Sequence, residues 1–387
     1  MRLLIAAGGT GGHIYPALAV ARSLRAPDRG GPGTPALSWL GGHRGLEATL
    51  LRGSAIPFRR LALRSLRSVD RDVHLVLDPA RLAVAVPQAA AILARERPAA
   101  ILTTGGYVAI PVLLAAAPLR IPVLLWEGNV VPGRSVRATA RLATVLAVAF
   151  EAACARLAGS RPCYVTGTPI RDVSGVDRVA ARAGLGLTAE DRLVVVFGGS
   201  QAVRRFNGAV ARALPRLVER VHLVHVTGDD GYAAALAGRE ALPPAVRERY
   251  RPRPFLREEM LPALAAADLV VGRAGSSTLA EACALGLPIV VVPYPHAAGH
   301  QRANALVLEA AGAARVIEDE AFDAGALLDA VGILDDPERH RAMGDAARSL
   351  GRPAAAAAVA DLVLALAEHR ALPDPATIEQ RSRSVAG

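Results

Sequence analysis

The chain has 387 residues, with 45 basic against 35 acidic side chains, a net charge of +10, and 52% hydrophobic but only 4% aromatic residues. That length exceeds one ordinary core, so two domains of roughly 150–200 residues each are expected, and a core of Ala, Val and Leu points to helix-covered parallel sheets, an α/β class. Every basic residue is an arginine, which suits phosphates, nucleic acid or an anionic membrane surface; scarce aromatics and widely spread arginines argue against a nucleic-acid-binding module.

In chain order, the opening "MRLLIAAGGTGGH" is broken by glycines before the apolar core of an export signal is complete. Strand-like runs then alternate with small-residue loops and helical patterns: "RLLIA" before GGTGGH, "AAILTT" before GGY, "VLLWE" before GN, "LVVVF" before GGSQ, "HLVHVT" before GDD, "DLVVG" before RAGSS and "PIVVVP" before YPH. This is the βαβ signature, with ligands expected beyond the strand ends. The series restarts near residue 193, and the Gly- and Pro-rich stretch 165–177 separates two similar halves, giving domains 1–166 and 167–353. The uncharged run 98–119 reads as a strand, a glycine loop and a short buried helix, since TTGGY and Pro111 break it as a membrane span. From Arg81, the basic and apolar stretch 59–97 suits a helix with Leu82, Val86, Ala89 and Leu93 along one side and a bend at Pro87. Spacing alone makes it a core-packing helix with solvated arginines. Residues 354–368 form an Ala/Leu helix pattern, and 371–387 read as a polar, frayed end. Cys154, Cys163 and Cys283 show no paired spacing, so neither a disulfide nor a zinc site is expected, and a reducing compartment fits.

Two loops carry the chemistry. Glycines 8 to 12 let a ligand touch backbone, and the helix that follows, with Pro16 near its first turn, offers N–H groups to an anion. The loop is neither the dinucleotide G-x-G-x-x-G nor a P-loop with its lysine. In "GRAGSSTLAEACALGLP", residues 275–278 start a helix and Glu281 follows about one turn in, an arrangement that suits a nucleoside diphosphate with the carboxylate on the ribose hydroxyls, or equally a plain capping box. No Asp-x-Asp pair follows a strand, and the acidic pair in GDD at 228–230 reads as solvated. Metal-independent chemistry without a cofactor is therefore expected, with arginines and helix dipoles balancing the diphosphate.

Taken together, "GGTGGHIYPALAVA", "GGYVAIP", "GGSQ" and the run from Gly272 to Ala314 resemble, in register from residue 3 to about 365, the MurG family of peptidoglycan N-acetylglucosaminyltransferases, glycosyltransferase family 28. The resemblance implies a GT-B fold of two Rossmann-like domains facing a cleft, with the segment 354–387 returning to the first. It also implies transfer of GlcNAc from UDP-GlcNAc to the MurNAc C4 hydroxyl of undecaprenyl-diphospho-MurNAc-pentapeptide (lipid I), with inversion, at the cytoplasmic face of the cell membrane. Position by position it assigns Thr10, Gly11, Gly12 and Asn129 to the donor sugar and Arg171, Ser200, Glu281 and Gln301 to UDP. Leu256, Ser276, Ser277, Thr278, Leu279 and Ala280 fall to the uracil and phosphate pocket, and Tyr107, Glu127 and Arg137 to the acceptor. His13 is the implied catalytic base, although by residue type alone a histidine here caps a helix or donates a hydrogen bond as readily.

This sequence departs from the family pattern at Trp126 and Gly128, where His and Gln are usual, and at Thr168, His300 and Arg137, where Asn, Gln and Lys are usual. The resemblance also reverses the reading of stretch 59–97. Arg64, Arg67, Arg71 and Arg81 are expected to meet anionic headgroups of the inner leaflet while Leu75, Val76, Leu77 and Leu82 dip into the interface. Other cell-wall synthesis proteins are implied partners. The rival readings are another GT-B glycosyltransferase acting on a glycolipid or natural product, and a UDP-GlcNAc 2-epimerase.

Overall fold

The computed structural model describes residues 1–26, 34–43, 47–63, 74–157, 159, 161–199, 203–295 and 299–384, with backbone alone for 74–80 and 203. The chain forms two compact units: Met1–Asp172 with Arg352–Ala386, and Val173–Gly351.

The first unit is built on seven strands: β1 (Arg2–Ala6), β2 (Ala36–Gly41), β3 (Phe58–Arg60), β4 (Ala100–Thr103), β5 (Val123–Glu127), β6 (Val145–Val148) and β7 (Cys163–Val165). Their order is β3-β2-β1-β4-β5-β6-β7, and β1 pairs in parallel with both β2 and β4, Leu3 lying between Leu37 and Ala100. The second unit holds β8 (Leu193–Phe197), β9 (His222–Val226), β10 (Tyr250–Arg253), β11 (Leu269–Gly272), β12 (Ile289–Val291) and β13 (Ala314–Val316), ordered β10-β9-β8-β11-β12-β13. Both sheets are parallel and doubly wound. The strands legible as apolar runs, β1, β4, β5, β8, β9, β11 and β12, are buried almost throughout. Sequence reading misses β10 because its edge position, paired with β9 alone, tolerates Arg251 and Pro252. It misses β6 because "VLAV" merges with an alanine-rich helical pattern.

Helix Ala355–Ala367 buries Leu362, Val363 and Val359 completely against Leu3, Ile5, Ala17 and Trp126 in the core of the first unit. Residues 371–384 are not frayed, which corrects the sequence expectation. Asp374 caps helix Pro375–Arg383, Ile378 joins the core, and Arg352 pairs with Glu379 at 2.7 Å and donates to Ser382. A second correction concerns cysteine. Cys154, on helix Glu151–Leu157, and Cys163, on β7, form a disulfide with Cα atoms 5.9 Å apart, because the chain reverses between them. Cys283 is free and buried, which pushes its thiol up to about 12.

Helix His74–Glu96 runs unbroken through Pro87, whose ring is exposed, and buries Ala85, Ala89 and Leu93, with Leu82 and Val86 half-buried beside them. Its Gln88 accepts from Ala62 N and donates to Arg60 O, tying the helix to the chain around β3. Run 98–119 resolves into β4 and helix Gly106–Ala116, whose eleven residues span about 16 Å against a bilayer core of about 30 Å. Residues 337–367 are long and apolar enough to cross a membrane, but they form two helices, Pro337–Leu350 and Ala355–Ala367, and most of the apolar stretch is buried inside the protein.

Candidate active site

In each sheet the strand order reverses between two neighbouring strands, and loops leaving the carboxyl ends at such a point make a crevice for ligands. In the first unit these strands are β1 and β4. Thr103 Oγ1 bridges their ends by donating to Ala6 O at 2.8 Å. Beyond β1 the chain enters helix Gly11–Leu24, with Thr10 at its N-cap making no side-chain cap bond. The helix starts five residues before Pro16 rather than beside it, so the proline, lacking an N–H, leaves the Gly12 carbonyl without its helical donor. Thr10 and Gly12 are exposed and Gly11 is half-buried.

His13 is fixed by a reciprocal pair of bonds. Its Nδ1 lies 2.6 Å from Thr104 O, and Thr104 Oγ1 donates to His13 O at 2.8 Å. A carbonyl only accepts, so Nδ1 is a donor, and in the neutral imidazole the acceptor is Nε2. The ring lies over bare backbone: a Cβ at Gly106 would stand 3.5 Å from His13 Nε2 and 3.3 Å from Gly8 O. Gly105 and Gly106 have φ of +82° and +74°, which favours glycine there for a second reason.

The loop after β5 hangs on one carboxylate. Glu127 is buried, its Oε1 accepting from Asn129 N and Nδ2 at 2.8 and 2.9 Å and its Oε2 from Gly133 N at 2.9 Å. It thereby orients Asn129 and the start of helix Arg134–Thr139, on which Arg137 is exposed. The Trp126 indole packs into the core and donates to Gly167 O at 3.1 Å, so this departure from the family pattern is a packing change. Gly128 and Thr168 are buried and Arg171 half-buried. Tyr107, in the first turn of helix Gly106–Ala116, is buried, and burial together with the Glu47 charge raises its phenol pKa well above the usual value. Glu47 carried no signal in the sequence beyond being an acidic residue near a loop.

In the second unit the reversal lies between β8 and β11. Ser200 falls outside the described residues; Gly199 beside it has φ +70°. After β11, helix Ser276–Leu285 has Gly275 at its N-cap, a residue with no side chain to cap it. Ser276, Ser277, Thr278 and Ala280 are half-buried, Leu279 and Glu281 buried, and Ser277 Oγ has no hydrogen-bond partner among the described residues. Free N–H groups and the positive helix end at this position suit a diphosphate. Arg273, which sequence reading passed over, pairs with Asp319 at 2.5 Å, donates to Val292 O, and lies 4.8 and 5.4 Å from the ring centres of Phe206 and Tyr294. Gln301 Oε1 accepts from Tyr294 N at 2.9 Å, setting the turn after β12, and His300 opens the helix His300–Ala310 that carries it. Leu256 is half-buried beside the exposed ring of Phe255, an aromatic at a strand end that the sequence reading did not single out. Asp229 and Asp230 prove to be first-turn residues of helix Asp229–Glu240, where acidic side chains favour the helix dipole.

Residues 3–148 match the Glycosyltransferase family 28 N-terminal domain and residues 193–360 the Glycosyltransferase family 28 C-terminal domain. The chain is 38% identical over 377 residues to the UDP-N-acetylglucosamine--N-acetylmuramyl-(pentapeptide) pyrophosphoryl-undecaprenol N-acetylglucosamine transferase of Moorella thermoacetica, covering 95% of this chain and all of that protein. Among solved structures, MurG of Acinetobacter baumannii superposes with a TM-score of 0.73 at 29% identity, covering 94% of this chain and 99% of that one. A UDP-N-acetylglucosamine 2-epimerase reaches 0.64 at 16% identity over 97% and 98% of the two chains, a likeness of fold alone. Two parallel doubly wound units, both domain matches and end-to-end similarity to curated relatives place the chain in the MurG family, glycosyltransferase family 28, with the GT-B fold.

Proposed function

We propose that the chain is an inverting glycosyltransferase moving GlcNAc from UDP-GlcNAc to the MurNAc C4 hydroxyl of lipid I, forming lipid II for peptidoglycan synthesis. The observation that carries the mechanism is the His13 geometry, with Nδ1 bonded to Thr104 O and Nε2 beside Gly106, which has no side chain to cover it. In a single displacement the acceptor oxygen attacks the anomeric carbon from the face opposite UDP. As the new C–O bond forms, the bond to the diphosphate breaks, its electron pair leaves on the β-phosphate oxygen, and the hydroxyl proton passes to His13 Nε2. The second unit supplies the start of helix Ser276–Leu285 for the phosphates and the buried Glu281 carboxylate for the ribose hydroxyls. In the first unit Asn129, oriented by Glu127, and Thr10, Gly11 and Gly12 meet the donor sugar, and Tyr107 and Arg137 the acceptor. Arg171, Leu256, Gln301 and Ser200 complete the UDP contacts in this reading.

The enzyme works as a peripheral protein on the cytoplasmic face of the cell membrane, beside other cell-wall synthesis proteins. Support comes from the exposed apolar side chains Val84, on helix His74–Glu96, and Leu114 and Leu119, on and just after the helix Gly106–Ala116 packed against it, with Arg81 and Arg120 nearby in sequence. Arg64, Arg67 and Arg71, and the side chains of Leu75, Val76 and Leu77, lie outside the described residues. Radiolabelled UDP-GlcNAc supplied with a short-chain lipid I analogue is expected to give a labelled disaccharide product and free UDP. Conversion of UDP-GlcNAc alone to its 2-epimer, or transfer only to an unrelated acceptor, overturns the proposal.

A further inference from the structure

The glycine loop that leads into His13 has one side chain, Thr10, which makes no cap bond, yet a carboxylate from another loop reaches its backbone. Glu47 is fully buried, and its Oε1 accepts from Gly9 N at 3.0 Å and from Gly42 N at 3.4 Å. One oxygen thus joins the loops leaving β1 and β2. Gly9, the donor of the shorter bond, has φ +99°, a conformation that L side chains rarely adopt. The contact is close: a Cβ at Gly8 would stand 2.3 Å from Glu47 Oε1 and 2.9 Å from Val108 Cγ2. Glu47 Oε2 and Tyr107 Oη are both buried without a hydrogen-bond partner among the described residues. The phenol lies against bare backbone, since a Cβ at Gly42 would come within 2.1 Å of Tyr107 Oη.

A fully buried carboxylate works against folding, and an apolar side chain of similar size would fill the space at lower cost. What the carboxylate supplies is geometry. We infer that Glu47 is a positioning residue for the transfer reaction, holding the Gly8–Gly12 loop, and through it His13, in register with Tyr107. Burial and the Glu47 charge both keep the Tyr107 hydroxyl protonated and therefore able to donate. Glu47 touches no substrate in this scheme; it acts on the groups that do.

The inference rests on the transferase reading given above, and the test separates the two. Full-length parent, Glu47→Ala, Glu47→Gln and Glu47→Asp proteins are assayed with UDP-GlcNAc and a short-chain lipid I analogue, and amide hydrogen exchange is followed over residues 7–14. Glu47→Ala is expected to lower kcat about 100-fold, as small misplacements of reacting groups do, with KM for UDP-GlcNAc within about twofold, and to speed exchange in the loop. Glu47→Gln is expected to stay within about fivefold of the parent, because a carboxamide oxygen accepts the same two N–H bonds. If Glu47→Ala does not fold, Glu47→Asp decides, its shorter side chain withdrawing the acceptor. Loss of thermal stability with kcat preserved in the folded fraction, or loop exchange unchanged in Glu47→Ala or Glu47→Asp, overturns the inference. A parent without transferase activity sinks the functional reading instead, and the exchange comparison still decides whether Glu47 holds the loop.

Discussion

At the scale of single residues, the tautomer of His13 follows from one contact. A backbone carbonyl at 2.6 Å admits only a donor at Nδ1, so the atom free to take a proton is Nε2. Replacing His13 with Ala is expected to lower turnover about 100-fold or more, the usual worth of a positioned general base, while UDP affinity changes little. A loss under about fivefold, or one appearing wholly as weaker UDP binding, counts against it. A different histidine governs stability. His225 Nδ1 meets Tyr250 Oη at 2.9 Å in the core of the second unit, and burial pushes its imidazole pKa from 6.5 down to about 3. The unfolded chain therefore takes up a proton below pH 6.5 that the folded chain refuses. Stability from this site is complete above pH 6.5 and declines as pH falls toward 3, at about 1.4 kcal/mol per pH unit. Urea midpoints of His225→Leu measured from about pH 7 to about pH 4 should fall less steeply than those of the parent; parallel curves refute the assignment.

At the scale of elements, two helices contribute separately to binding and to stability. The helix Ser276–Leu285 places Glu281 about one turn in from its glycine N-cap. Glu281→Ala should remove charge-assisted hydrogen bonds worth roughly 1.5–3 kcal/mol and weaken UDP binding about tenfold or more. Titration calorimetry showing parental affinity would make Glu281 a purely structural group. Helix Ala355–Ala367 stabilises the first unit, because Leu362 is fully buried among its β-strand and helix side chains. Leu362→Ala should cost about 2–5 kcal/mol, read as a lower denaturation midpoint, and a change below about 1 kcal/mol would mean that this helix is not integral to the core.

At the scale of the whole molecule, a net charge of +10 carried by arginines favours an anionic surface, and each charge close to such a surface contributes about 1 kcal/mol. Binding to vesicles containing anionic lipid should weaken as salt rises and on replacing Arg64, Arg67 and Arg71 with Ser, and neutral vesicles should bind less. Equal sedimentation with neutral and anionic vesicles at every salt concentration would leave apolar contact alone, through side chains such as Val84 and Leu114.

The class of fold, the strands β1, β4, β5, β8, β9, β11 and β12, and the glycine loops were legible in the amino-acid order alone, whereas the interior strands β2 and β6 were not. An apolar run bounded by glycine is a local signal, and a buried parallel strand needs little else. The short strands β3, β7 and β13 and the edge strand β10 escaped, since three or four residues held by a neighbour need no pattern of their own. The Cys154–Cys163 disulfide and the docked helix Pro375–Arg383 escaped for the same reason, each depending on a partner that the chain brings up only by folding back. Around the candidate site, motif positions such as His13, Asn129 and Glu281 were legible as residue types in a pattern. What each carboxylate holds was not. Glu127 is saturated by three N–H groups of its own loop, whereas Glu47 reaches across 38 residues to Gly9. Hydrogen bonds between loops depend on where neighbouring strands end, and strand order is settled by packing between distant segments, so these contacts exist only once the chain has folded.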